Sequence, residues 1–205
     1  MHISWLGSTC VKLQTKTLDE DVVVLIDPYK PTSGEFPRSF SPNLALFSRG
    51  AENAATLSQN PFVLDTLGEC EIKEVMVTTT PTTEGTIIFK INAEGLSLVH
   101  LGGLSKKPNI EEMEKLGAID ILLVPVGNGK KYLNAEDATA LVTALEPRIV
   151  IPIAYQCDTD KDAKLVSEFI KELGLKPELT DKKIIIRKKD LPADETKLYV
   201  LEKNI

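Results

Sequence analysis

The chain has 205 residues, 42% hydrophobic and 26% charged, which is enough for a sizeable buried core and rules out a disordered or fibrous protein. Its 24 Lys plus Arg against 30 Asp plus Glu leave a net charge of −6, so no global basic field exists to hold a nucleic-acid backbone. The longest apolar runs, Val22 to Ile26 and Ile119 to Val126, fall far short of the roughly 20 residues of a membrane helix, and Met1-His2-Ile3-Ser4-Trp5 does not resemble a signal peptide, so a cytoplasmic setting without membrane contact is expected.

In chain order, short β-branched runs bounded by turn residues predict strands at Ile3–Leu6, Val11–Leu13, Val22–Ile26, Leu44–Phe47, Glu74–Thr78, Thr86–Ile91 and Leu96–Leu101. Pro28, Pro31, Gly34, Pro37 and Pro42 predict a long loop before Leu44. The second half alternates strands at Ile119–Val124, Ile149–Ile153 and Lys183–Arg187 with helical patterns. Asn134 reads as an N-cap with Asp137 three residues on, and Ala138, Leu141, Val142 and Leu145 follow at helical spacing until Pro147. Val166, Phe169, Ile170 and Leu173 repeat that spacing before Gly174, and a last strand is expected at Lys197–Leu201. One-faced helices need a sheet to cover, and apolar strands ending in Pro or Gly turns occur in both halves. The pattern fits two facing mixed sheets with outer helices, an αββα sandwich. We expect one domain over residues 1–205, built of halves of about 1–105 and 106–205.

The strings Trp5-Leu6-Gly7-Ser8-Thr9-Cys10 and Leu25-Ile26-Asp27-Pro28 resemble the W-L-G-H-S and I-D-P of small stand-alone hydrolase-like members of the metallo-β-lactamase superfamily. His100-Leu101-Gly102-Gly103-Leu104 is similar to the family's H-L-G-D-L, and Leu122-Leu123-Val124-Pro125-Val126-Gly127 to its L-L-V-P-V-G. Pro147-Arg148-Ile149-Val150-Ile151-Pro152-Ile153-Ala154-Tyr155 is similar to P-x-I-V-I-P-M-H-Y. The resemblance implies the αββα fold, and with it a T-H-x-H-x-D-H motif and later His and Asp residues around one or two metal ions. Such a metal makes hydroxide from bound water at neutral pH.

Against that motif this chain reads Ser48-Arg49-Gly50-Ala51-Glu52-Asn53-Ala54, and Gly103 and Ala154 stand at the bridging Asp and the final His. No His occurs in Thr78-Thr79-Thr80-Pro81, and Ser8 replaces the His that follows W-L-G. His2 and His100 are the only histidines, which excludes a His-rich centre by count. Cys10, Cys70 and Cys157, odd in number and far apart, fit neither a disulfide framework nor a zinc knuckle. The expectation is therefore a metal-free cleft with no cofactor, bordered by Ser8, Asp27, Arg49, Glu52, Asn53, His100, Gly103 and Ala154.

Each of these residues has a functional and a structural reading. Arg49 is either an anion site or the partner of Glu52 or another acid in the vacated cavity. His100 is either a general base or a hydrogen-bonded structural histidine. Ser8 or Cys10 with Asp27 and His100 would supply a nucleophile, a base and an orienting group, although no G-x-S-x-G elbow is present. Asp27 before Pro28 otherwise reads as a turn residue whose carboxylate caps backbone N–H groups. Gly127-Asn128-Gly129-Lys130 is a poor phosphate loop and reads as a strand-to-helix connection. Lys182-Lys183 and Arg187-Lys188-Lys189 read as solvated charges flanking Ile184 to Ile186.

The functional expectation is a non-catalytic domain that binds a small anionic ligand or a protein partner. The alternatives are a metal-independent hydrolase using Ser8, His100 or a bound water, and a structural homo-oligomer subunit.

Overall fold

A computed structural model describes residues 1–17, 20–127 and 130–205; Asn128 and Gly129 of the expected strand-to-helix connection lie outside the described residues. The first sheet region contains β1 (His2–Gly7), β2 (Cys10–Lys16), β3 (Asp21–Ile26), β4 (Ser39–Phe40), β5 (Leu44–Leu46), β6 (Thr56–Leu57) and β7 (Phe62–Leu64). It is followed by β8 (Glu69–Ile72), β9 (Val75–Pro81), β10 (Ile87–Ala93), β11 (Leu96–His100) and α1 (Ile110–Glu114). The chain continues with β12 (Ile121–Pro125), α2 (Ala135–Leu145), β13 (Ile149–Ile153) and α3 (Val166–Leu173). It ends with β14 (Pro177–Thr180), β15 (Ile184–Ile185) and β16 (Lys197–Leu201).

These strands form two mixed sheets, ordered β15-β1-β2-β3-β5-β7 and β14-β16-β13-β12-β11-β10-β9-β8, with β4 and β6 as a separate pair. This is the pair of mixed sheets that the resemblance implies, with few helices. The second sheet is antiparallel from β8 to β11 and parallel from β11 through β12, β13 and β16 to β14. Its central strands β12 and β13 are buried at every position, as expected for parallel strands covered on both faces. The chain passes from the first sheet to the second between Leu64 and Glu69, and only β15 returns to the first sheet, so the two sheets do not coincide with the expected halves of about 1–105 and 106–205.

Alternation gives the first sheet two dry faces. Ile3, Trp5, Val11, Leu13, Val24 and Ile26 join a core shared with both sheets and the helices, while Leu6, Cys10 and Leu25 point the other way. That second face is covered by the proline-rich segment, whose Tyr29, Phe36 and Phe40 rings pack 4.6 and 5.6 Å apart in succession. The expected long loop is thus a lid on apolar surface. Among the described residues no helix is long and apolar enough to cross a membrane.

The predicted strand at Lys183–Arg187 shrinks to β15, a two-residue edge paired with β1, because the flanking lysines favour solvent. In α2 the cap is as the sequence suggested: the Asn134 side chain accepts from the Asp137 N–H at 2.8 Å. The helix ends one residue before Pro147 at Glu146, which has a left-handed φ of 45°. Asn134→Ala should lose about 1 kcal/mol, and Glu146→Gly should gain up to about 1 kcal/mol by removing the Cβ conflict. Urea denaturation of both variants checks the opposite signs.

Candidate functional site

The cleft begins at the β1–β2 turn. Ser8 has a φ of 48°, and its carbonyl accepts from the Trp5 indole N–H at 2.7 Å and from the Ala154 N–H at 2.9 Å. Ala154, just past β13, is itself left-handed at φ 60°. The next carbonyl, of Thr9, lies 2.9 Å from His100 Nε2, while the Gly102 N–H donates to His100 Nδ1 at 3.0 Å. His100 is therefore the neutral imidazole with its proton on Nε2, clamped between two backbone segments. Its burial pulls the pKa down, against the nearby Asp27 charge, which pulls it up.

Asp27, at the end of β3, accepts from Ser48 twice: from the backbone N–H at 2.6 Å and from the hydroxyl at 2.7 Å. Its carboxylate thus fixes the start of the Ser48–Asn53 turn. Arg49 Nε donates to Thr86 Oγ1 at 3.1 Å, and Nη2 lies 3.4 Å from Glu84 Oε1. Glu52, the expected partner, is exposed in the turn, and the pairing with it does not form. Glu84 wins because the β9–β10 hairpin carries it to the cleft edge, 35 positions from Arg49 in the chain. Ser105 binds the same carboxylate through its N–H at 3.0 Å and its hydroxyl at 2.8 Å. Burial raises the Glu84 pKa, but the bonds from Ser105 and Thr86 and the Arg49 charge outweigh it and hold the carboxyl below its usual range. Arg49 is not buried as the sequence suggested: its side chain stays 45% exposed, so the guanidinium keeps a face toward the cleft.

Ser8, Asp27, Arg49, Glu52, Asn53 and Gly103 line one cavity of about 310 Å³, while the buried His100 and Ala154 lie outside its lining and hold the β1–β2 turn. The same lining includes two residues that sequence reasoning passed over, Lys131 and Tyr132. Tyr132 Oη sits 2.6 Å from Ser8 Oγ, and the Lys131 ammonium lies 5.2 Å from the Tyr132 ring centroid and 3.6 Å from Asp160. Burial lowers the Lys131 pKa, but Tyr132 and Asp160 more than offset it, so the amine stays charged. Cys10 is fully buried with its thiol pKa pushed well up, which removes it as a nucleophile. Cys157 Sγ lies 3.2 Å from Thr159 Oγ1, whose hydroxyl also meets Tyr29 Oη at 2.6 Å.

The residues present do not fit the divalent metal that the resemblance implies. Among the described residues no three of His, Cys, Asp and Glu come together as a ligand group. A Cβ added at Gly103 would lie 3.0 Å from Arg49 Nε and 3.1 Å from its Cζ, so the guanidinium occupies the room a side chain there would need. Its fixed positive charge and lack of acceptors make it no ligand.

Two measurements test these electrostatics. Glu84→Gln, which removes the charge from a side chain only 14% exposed, should cost about 1–3 kcal/mol, and Arg49→Ala no more than about 1 kcal/mol. Acidification should lower the melting temperature in two stages. A histidine held neutral binds its proton more readily once unfolded, so stability is full above the ordinary value near 6.5 and falls below it. A carboxylate with a lowered pKa contributes above its ordinary value of 4.5 and is lost as pH falls through that range, so Glu84→Gln should weaken only the second stage.

Residues 2–154 match the model of the β-lactamase superfamily domain. Over 76 residues the chain is 36% identical to a UPF0173 protein of Pyrococcus furiosus, a match spanning 37% of this chain and about a third, 33%, of that protein. It is 25% identical over 191 residues to a UPF0173 metal-dependent hydrolase of Methanoregula boonei, covering 76% of this chain and 82% of the relative. A crystal structure from Thermotoga maritima, described as a "putative zn-dependent hydrolase of the metallo-beta-lactamase superfamily", superposes with a TM-score of 0.80 at 25% identity over 98% of both chains. These relatives correct the expectation of a non-catalytic binding domain, and with it the expectation that the chain is no enzyme: proteins similar along most of its length carry hydrolase names. The chain belongs to the metallo-β-lactamase superfamily.

Proposed function

We propose that this chain is a hydrolase that turns over a small, negatively charged substrate in the cleft between the β1–β2 turn and the Ser48–Asn53 turn. The observation that carries this reading is the cleft itself: a cavity of about 310 Å³ whose lining combines a hydroxyl, a phenol, two cations and the acids Asp27 and Glu52, in a fold shared with relatives named as hydrolases. That volume suits a small molecule. Arg49 offers a planar guanidinium already oriented by Thr86 and Glu84, so an incoming carboxylate or phosphate meets a donor that loses little freedom on binding. Asp27 and His100 spend their polar atoms on Ser48, Thr9 and Gly102, and serve as scaffold. Because the donor set does not fit a metal, bond cleavage is assigned to the chain's own groups and to water.

The test is a turnover screen of esters, thioesters, lactones and phosphodiesters, each with and without a charged group, before and after chelation. At least one class should be hydrolysed at a rate that chelation leaves unchanged. Arg49→Ala should raise KM for the charged member roughly tenfold with kcat little altered, the mark of lost binding worth about 1.4 kcal/mol. No turnover in any class would overturn the reading, and activity that a chelator abolishes and zinc restores would overturn its metal-independent part.

A further inference from the structure

Two non-glycine residues of the cleft lining have left-handed backbone, Ser8 and Asp27; the Asp27 carboxylate is spent on Ser48, while the Ser8 hydroxyl meets the Tyr132 phenol. The Ser8 φ of 48° places a non-glycine residue in the left-handed region, where backbone strain persists only if the surroundings over-determine it. Here they do. The Ser8 carbonyl is held by Trp5 from its own strand and by Ala154 from the opposite sheet, and Trp5 is fixed in turn against the Tyr155 ring at 4.1 Å. These contacts bind the backbone and leave the hydroxyl on the cleft wall, where its partner is the Tyr132 phenol at 2.6 Å.

Tyr132 is equally constrained. Its ring is 2% exposed, and Gly127 packs so closely on it and on the Ala154 carbonyl that a Cβ at 127 has no room. The charged Lys131 amine lies against the same ring and is itself paired with Asp160. A hydroxyl hydrogen-bonded to a second hydroxyl can hand its proton across as it attacks, so the pair can act as a nucleophile with its proton relay.

We infer that Ser8 is the nucleophile and Tyr132 its general base in an acyl-transfer reaction, so that the substrate is an ester or thioester; this rests on the hydrolase reading above. Ser8 Oγ attacks the acyl carbon as its proton passes to Tyr132 Oη, while the proton that Tyr132 Oη already carries passes on to the leaving oxygen or sulfur. The bond to the alcohol or thiol breaks, and that leaving group departs with the proton from Tyr132. Water then attacks the Ser8 ester and gives its proton to Tyr132, and Ser8 Oγ takes that proton back as the carboxylic acid is released.

The experiment uses the full chain with p-nitrophenyl acetate and a fluorophosphonate probe. We expect a burst of nitrophenol, one added acetyl group by intact mass, and both labels mapped to Ser8. Ser8→Gly suits the positive φ, which offsets part of the lost bond to Tyr132, so it should still fold cooperatively and lose burst and label. Tyr132→Phe should slow acylation roughly 100- to 10,000-fold, the range for removing a general base. Wild-type protein that no fluorophosphonate labels at Ser8 overturns the proposal without relying on any variant. Turnover that persists in Ser8→Gly overturns the nucleophile while leaving the hydrolase reading in place, whereas a wild type inert toward every class in the turnover screen overturns that reading itself.

Discussion

Two adjacent carbonyls in the β1–β2 turn join the halves of this molecule. The Ser8 carbonyl takes an N–H from Ala154 at the end of β13, and the Thr9 carbonyl faces His100 Nε2 at the end of β11, so a turn of the first sheet is fastened to two strands of the second. Each bond alone contributes about 1 kcal/mol, but an unmade one would leave a buried carbonyl or imidazole without a partner, which costs more than the bond gains. That asymmetry explains why a histidine is buried here with no exposure at all. It also explains why the cleft lies where it does, since the turn that closes the sheets together is the wall from which Ser8 projects.

The opposite wall is held by carboxylates. Asp27 fixes Ser48, and Glu84 fixes Arg49, Thr86 and Ser105, so both acids are spent on positioning and neither is left to act on a substrate. The lining carries two cations, the Arg49 guanidinium and the Lys131 amine, two acids, the engaged Asp27 and the exposed Glu52, and between them the Ser8 hydroxyl and the Tyr132 phenol. In a chain with a net charge of −6, and with acids and cations both in the lining, an anion would be drawn here by direct contact with the Arg49 guanidinium and not by the overall field.

The sequence made the local parts of this structure legible. The Asn134 cap, the Gly174 stop, the buried runs of β12 and β13 and the order of the family-like strings are all encoded within a few residues, and the fold follows from them. The site is different because its decisive contacts are distant in the chain. Ser8 and Tyr132 are 124 residues apart and Arg49 and Glu84 are 35 apart, and no periodicity or motif links either pair. Sequence proximity favoured Glu52, which the turn directs to solvent. Tyr132 carried only one signal, an aromatic residue next to Lys131 just after the strand-to-helix connection, and such a residue ordinarily reads as packing.

The replacement of ligand-type residues also looks different once the contacts are known. Read singly, Arg49 and Gly103 suggested a site that had only lost its chemistry. In three dimensions they are one feature, since the guanidinium can lie where it does because residue 103 has no side chain. Ser8 belongs to the same rearrangement: where the family-like string has a histidine, this chain has a small hydroxyl that reaches a phenol from across the molecule. A fold conserves the positions from which groups face a cleft more strictly than it conserves the groups, so the same wall can present imidazoles in one chain and a Ser–Tyr pair in another. Kinship to hydrolases and the misfit to a metal are then compatible, because the frame of the cleft does not depend on which side chains are mounted in it.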